Sequence, residues 1–246
     1  MKIVYYLLAF IFTSTLLSCS NKTEEFNTDD DSKQYFPIKI NSQWTYQVDS
    51  TIYDYSGTVI TVKSNIEVEK VISSFTDDSD NINYIVEKKI YNEGSLQHTS
   101  LFNYIIEDKK IIKSEDNLKF IELVFPIKTG IYWEGNEFFD SDNTIIYIAG
   151  EPIKMYENWN YRYIDDENTF TIDDEEYNNV ITVIQTDTEN SIERRYSEEK
   201  YSKNIGLIYK KMLILNTQKY EETDTPWELK AEEGFILEKK LISYEE

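Results

Sequence analysis

From Tyr35 onward the chain alternates in polarity with a period of two. Trp44, Tyr46, Val48 and Ile52 fall on one face of an extended segment, and Thr45, Gln47, Asp49 and Thr51 fall on the other. That alternation marks a half-buried strand and commits the chain to a fold built from sheet. Ser56-Gly57 supplies a turn, and Ile60, Val62, Ile66, Val68 and Ile72 continue at even positions, so the two segments read as an antiparallel hairpin. Residues 82–91 and 96–106 flank Asn92-Glu93-Gly94-Ser95 as a second hairpin. Reversals at 107–110 and 114–117 precede a strand over 118–125, which makes 35–125 a meander with short connections.

The second half is less regular. Residues 138–148 read as strand, broken by Gly150-Glu151-Pro152. Residues 161–164 and 169–172 read as short strands around the acidic turn Asp165-Asp166-Glu167-Asn168. The stretch 180–184 is apolar on both faces, as in a central, covered strand. Residues 197–204 have the composition of one or two helical turns ending at Gly206, and 207–215 and 235–244 read as closing strands. There is no βαβ rhythm and no long amphipathic helix. The predicted class is mainly β, a strongly curved antiparallel sheet or incomplete β-barrel with little helix, forming a single domain over 35–246. Phe36-Pro37-Ile38-Lys39 before Trp44 is echoed by Phe125-Pro126-Ile127-Lys128 before Trp133 at the same offset. The alignment decays beyond Trp133. The echo therefore reads as one entry device used twice, with proline fixing the backbone and tryptophan filling the core, rather than as two related halves.

The amino terminus is an address. Lys2 precedes an apolar run of about 15 residues, short of the roughly 20 that span a hydrocarbon core, and the flanks fit a secretory signal. Leu16-Leu17-Ser18-Cys19 resembles the lipobox of bacterial lipoproteins. The resemblance implies a signal peptide over 1–18, cleavage before Cys19, and acylation of that thiol, the membrane contact on which two or more chains confer stable anchoring. Residues 19–34 then hold the lipidated cysteine and an acidic tether, SNKTEEFNTDDDSKQ, which is too polar to bury a core of its own and is expected to be disordered.

Charge removes several classes of function. Against 25 basic side chains the chain carries 46 acidic ones, a formal charge of −21, and such a field repels phosphate backbones, so nucleic acid is not an expected partner. One cysteine closes no internal disulfide and builds no Cys-rich zinc site. The lone imidazole, His98, sits in Gln97-His98-Thr99 on a polar strand face and reads as an exposed residue rather than a base.

Four blocks carry a wider resemblance: Tyr35-Phe36-Pro37 with Trp44-Thr45-Tyr46-Gln47-Val48-Asp49-Ser50, Trp133-Glu134-Gly135-Asn136, Tyr201-Ser202-Lys203-Asn204-Ile205-Gly206-Leu207-Ile208-Tyr209, and residues 234–244. They resemble a family of outer-membrane lipoproteins of the Bacteroidota. That resemblance implies outer-membrane placement and a β domain. It transfers no activity and no catalytic residue.

Acidic clusters recur at Asp77-Asp78-Ser79-Asp80-Asn81, Asp140-Ser141-Asp142-Asn143, Asp165-Asp166-Glu167 and Asp173-Asp174-Glu175-Glu176. None has the glycine and glutamate spacing of an EF-hand, so they read as charged turns, with a weak calcium site as the alternative; no metal ligand or cofactor is assigned. Glycoside hydrolysis needs two carboxyl groups about 5–9 Å apart, but among 46 acidic residues the sequence selects no pair. Trp44, Tyr46 and Trp133 are assigned to the core. Trp159 and Trp227, in polar contexts, are the candidates for an exposed contact surface. The expected function is a non-enzymatic β domain, anchored in the outer membrane, that binds a glycan, an apolar ligand or an envelope protein. A carboxylate-dependent hydrolase and a passive envelope component are the alternatives.

Overall fold

The computed structural model describes residues 31–54, 60–165 and 168–246. The signal segment, Cys19, most of the acidic tether, the Ser56-Gly57 turn and Asp166-Glu167 lie outside the described residues. The described chain opens with a 3-10 helix, Asp31–Tyr35, so the last four residues that composition assigned to the tether have a defined backbone. Ser32 Oγ accepts from the Ile127 N–H (3.1 Å), Gln34 C=O accepts from the Asn204 N–H (2.8 Å), and Asp31 pairs with Lys203.

The first six strands are β1 (Gln43–Tyr53), β2 (Ile60–Thr76), β3 (Ile82–Asn92), β4 (Ser95–Ile106), β5 (Lys110–Glu115) and β6 (Leu118–Val124). Each pairs antiparallel with the next. They are followed by β7 (Tyr132–Trp133), β8 (Ile146–Ile148), β9 (Glu151–Ile153), β10 (Tyr161–Ile164), β11 (Thr169–Ile172) and β12 (Glu175–Asn178). The last four are β13 (Val180–Glu189), β14 (Glu193–Ser202), β15 (Gly206–Asn216) and β16 (Glu233–Glu245). Twelve of them make one sheet in the order β6-β5-β4-β3-β2-β1-β16-β15-β14-β13-β10-β7, while β8–β9 and β11–β12 are separate hairpins. The first and last strands of the domain pair along their whole length at the centre of the sheet, from Gln43 opposite Glu245 to Tyr53 opposite Gly234. Two meanders spread from that seam in opposite directions.

The right-handed twist of so many strands brings the two edges together, and the sheet is nearly closed into a barrel. Side chains and one backbone bond make the closure. Ile121 N–H donates to Gly135 C=O (2.8 Å), and the Trp133 indole N–H donates to Ile121 C=O (2.8 Å). The Tyr163 hydroxyl of β10 accepts from the Val124 N–H (3.0 Å) and donates to the Val124 C=O (2.7 Å), serving both backbone groups of a residue on the opposite edge. Position 135 needs glycine because an added Cβ would lie 2.3 Å from the buried Tyr161 ring.

The mainly β class holds, and the hairpins of the first half fall where the alternation predicts. Three readings of the second half are corrected. Residues 197–204 are not helical: β14 runs straight through Ser202, held between β13 and β15. Only Ile146–Ile148 of the predicted 138–148 strand is extended. Before it, Asp140 makes a local turn in which its carboxylate accepts from the Asn143 N–H (3.2 Å) and its C=O from the Thr144 N–H (2.9 Å), the competition with ladder bonds typical of Asp and Asn. Gly150 does not end the strand; Ala149 and Gly150, both at positive φ, form the two-residue turn of the β8–β9 hairpin. Trp44 and Tyr46 are core residues as expected, and Trp133 is half-buried against Tyr161 and Tyr163.

Replacing Tyr163 by Phe keeps the ring but strips two backbone groups of their partner at the closing seam. Leaving such groups unsatisfied costs about 1–3 kcal/mol. Urea unfolding of Tyr163→Phe is therefore expected to show a loss of about 2 kcal/mol with unchanged far-ultraviolet dichroism. A loss under about 0.5 kcal/mol, the scale of a neutral surface change, would show that the hydroxyl does not hold the edges together.

Candidate functional site

Alternation places one set of side chains from every long strand on the inner face of the sheet. Along its middle that face carries four lysines, Lys88, Lys113, Lys210 and Lys239, and five glutamates, Glu67, Glu69, Glu115, Glu122 and Glu199, among the described residues. Charges removed from water must be paired or neutralised. Lys239 lies 2.5 Å from Glu67 and 2.7 Å from Glu69, with its ammonium 4.0 Å from the Tyr46 ring centroid. Glu115 is held by Lys113 (2.7 Å) and by Lys88. Lys210 of β15 faces Glu199 directly across the ladder on β14 (2.7 Å), and the Tyr201 hydroxyl donates to the other Glu199 oxygen (2.6 Å). Arg195, nearer the end of β14, pairs separately with Glu193 (3.5 Å).

That leaves Glu122. It is the carboxyl of the group with no ammonium or guanidinium within ion-pair distance among the described residues. It projects from β6 and hydrogen-bonds Glu199 from the other side of the barrel. Burial and the adjacent Glu199 charge push Glu122 up to about 8, although Lys210 and Lys113 pull the other way. Burial also opposes ionisation of Glu199, but Lys210 and the Tyr201 hydroxyl more than offset it and hold that carboxyl below its ordinary value. The pair therefore shares one proton at neutral pH, with Glu122 donating to the Glu199 carboxylate. Burial and the neighbouring Glu67 charge push Glu69 up as well, although Lys239 pulls the other way.

Glu122 forms part of the floor of a cavity of about 220 Å³. Tyr161 and Gln185, both almost wholly buried, complete the floor, and Lys113, Glu115 and Lys210 line its sides. The walls are apolar and largely aromatic: Phe120, Tyr156 and Trp159 stand half-buried at the mouth, with Met155, Met212 and Leu237 behind them. The segment after the β8–β9 hairpin places Tyr156 and Trp159 there. Ile153 and Met155 are buried against Met212 and Ile214, and the Trp159 indole N–H donates to Met155 C=O (2.5 Å), which fixes the ring over the opening.

The structure separates the two tryptophans proposed as contact residues. Trp159 lines the cavity. Trp227 is corrected: it begins a single helical turn, Trp227–Lys230, buries its ring against Tyr53, Leu213 and Leu215, and donates to Glu189 Oε1 (2.9 Å). Its polar neighbours in sequence are the rim of an apolar socket. His98 is exposed on β4, opposite Ile90. Asp77 spends its carboxylate on its own turn, accepting from the N–H groups of Ser79 (2.9 Å) and Asn81 (3.0 Å) and from Asn83 Nδ2 (3.1 Å). Among the described residues no three His, Cys, Asp or Glu side chains converge as metal ligands would. The lumenal charges themselves, Glu122 above all, were not singled out from sequence. The available signal was the direct opposition of Glu and Lys on the same face of neighbouring strands, which needs the register to be seen.

A carboxyl whose folded pKa lies above its unfolded one binds its proton more tightly in the native state, so its contribution is retained below the unfolded pKa. It is lost as pH rises from the ordinary Glu value towards about 8. Glu122→Gln keeps the shape and a donor to Glu199 but cannot ionise. Its stability relative to the parent is expected to climb steadily from pH 5 to pH 8 in urea titrations; a pH-independent difference would contradict the shared-proton assignment.

No protein-family model matches the chain, and no curated protein matches it. Among solved structures it is similar to a candidate exported protein with a YmcC-like fold from Bacteroides fragilis, at 14% identity and a TM-score of 0.46 over 86% of this chain and 98% of that one. It is also similar to a candidate lipoprotein from Parabacteroides distasonis, at 13% identity and a TM-score of 0.40 with the same coverage.

Proposed function

We propose that this chain is an outer-membrane lipoprotein, anchored through acyl chains on Cys19, whose β domain binds a small ligand in the barrel cavity without transforming it. The observation that carries the reading is the cavity itself. An apolar, aromatic mouth over a floor with a few convergent polar groups is the usual construction of a ligand site. At about 220 Å³ it falls below the roughly 300–1,000 Å³ of pockets for drug-sized molecules, so the ligand is small; a glycan chain or a polypeptide would engage it by one terminal group only. The hydrolase alternative gains nothing from the carboxyl pair. Glu122 and Glu199 hydrogen-bond each other, whereas a glycosidase keeps its two carboxyls about 5–9 Å apart with the scissile bond between them.

Anchoring rests on the Leu16-Leu17-Ser18-Cys19 string, and placement in the outer membrane rests on the family resemblance of the sequence blocks. Cys19→Ala is expected to shift the protein from the membrane pellet to the soluble envelope fraction. Retention in the pellet would contradict the lipid anchor.

Ligand occupancy is tested on protein taken from its native envelope. Native mass spectrometry is expected to show a small adduct, lost in Leu237→Trp, whose larger ring fills the cavity, while the melting temperature of that variant stays within a few degrees of the parent. An adduct of equal abundance in both proteins would place the ligand elsewhere, and no adduct in the parent would oppose the binding reading.

A further inference from the structure

Four aromatic rings follow one another along one side of the cavity. Phe120 and Tyr156 have centroids 5.4 Å apart, Tyr156 and Trp159 5.2 Å, and Trp159 and Tyr161 6.0 Å. Aromatic rings have a definite electrostatic preference, since the quadrupole of each ring face attracts cations, and most strongly where water is excluded. The same lumen already uses that interaction: Lys239 sits over Tyr46 (4.0 Å) and Lys113 over Phe102 (4.5 Å).

The charged groups facing the cavity point the same way. Lys113 is matched by Glu115 and Lys210 by Glu199, each at 2.7 Å. Glu122, only 7% exposed and set in the floor, is the lining carboxyl with no cationic partner among the described residues. An entering anion would unbalance a lumen whose ammonium groups already hold carboxylates, and a neutral apolar guest would leave Glu122 as it is. An entering cation can be matched by Glu122, which gives up its proton and takes the negative charge.

We infer that the cavity ligand is a small organic cation, an amine or quaternary ammonium group, seated against the Phe120–Tyr156–Trp159 wall with Glu122 as its counter-ion. This rests on the ligand-binding reading above and names its chemical class. Binding ionises Glu122 and releases its proton to solvent, so one positive charge replaces another and the net charge of the interior is unchanged. The groups around Glu122 that govern the exchange are Glu199 and Lys210 on β14 and β15, Lys113 and Glu115 on β5, and the hydroxyls of Tyr156, Tyr161 and Tyr201.

The test compares choline with 3,3-dimethylbutan-1-ol, its neutral isostere, by isothermal titration of the mature protein. Choline keeps its charge at every pH, so any pH dependence belongs to the protein. Choline is expected to bind saturably at pH 8, at least tenfold tighter than the alcohol, and to lose more than tenfold in affinity by pH 6, where Glu122 holds its proton. Glu122→Gln is expected to abolish both the preference and the pH dependence while retaining the parent near-ultraviolet dichroism. Equal binding of alcohol and choline by the parent protein overturns the cation assignment and leaves the ligand-binding reading standing, as does a preference that survives Glu122→Gln. Binding of neither probe overturns the cation assignment, and the native adduct and its loss in Leu237→Trp then decide the ligand-binding reading separately.

Discussion

The structure depends on pairing the charges that its barrel encloses. Among the described residues nine Lys and Glu side chains face inward along the middle of the barrel, and an unpaired ion there costs several kcal/mol even after relaxation. The arrangement leaves little freedom. Lys239 can serve Glu67 and Glu69 together only because the two glutamates are two residues apart on β2 and therefore share a face. Glu199 and Lys210 meet because the β14–β15 register places them directly opposite. The fifth carboxyl has no lysine left, and the structure disposes of its charge by protonation against Glu199. A one-residue slip of any of these strands would turn its charges to solvent and strand their partners inside, so the network fixes register as firmly as an apolar core would.

This same feature determines what could be read from the chain. Period two reveals that a strand exists but not which of its faces points inward. In β2 the even-numbered apolar residues read as the buried set, yet Ile60 and Val62 are 55% and 72% exposed, while Glu69 on the opposite face is 5% exposed. Residues 197–204 carry so many charged and polar side chains that they read as helix, although β14 runs through them to Ser202 and Ser197, Glu199 and Tyr201 all point inward and are buried. The strands with apolar inner faces, such as β1 with Trp44 and Tyr46, and the tight hairpins between neighbours were legible because their signals are local. The cavity was not, because its floor, walls and mouth come from segments far apart in sequence that meet only when the barrel curls.

Closure and cavity are parts of one construction. The edge strands β6 and β7 form no ladder with each other and β7 is only two residues long, so Trp133 and Tyr163 finish the seam with side-chain hydrogen bonds. The bond from Ile121 to Gly135 draws the chain after β7 against β6, and from there it continues through the β8–β9 hairpin to Tyr156 and Trp159. The residues that complete the barrel thereby deliver the residues that roof its opening. Both phenylalanines of the sequence echo, Phe36 and Phe125, pack into the cluster around Tyr163 and Tyr201, and both tryptophans, Trp44 and Trp133, donate to backbone carbonyls of other segments. The repeated motif thus acts as a device for fastening the chain at two points of entry.

A lumen filled with leucine and isoleucine would fold at least as stably, since replacing buried ion pairs by packed hydrocarbon is often neutral or favourable. What hydrocarbon does not supply is space held open. A lysine whose ammonium is fixed to a glutamate on the wall cannot collapse into a void, and the Tyr201–Glu199–Lys210 chain holds Glu199 at hydrogen-bond distance through both of its oxygens. The ion pairs therefore act as struts around a cavity whose aromatic mouth is set by Met155 and Trp159. Glu122, the lumenal carboxyl they leave without a counter-charge among the described residues, lies where a guest would arrive. Stability and recognition draw on the same residues here, and the proton on Glu122 is the point at which the two can be exchanged.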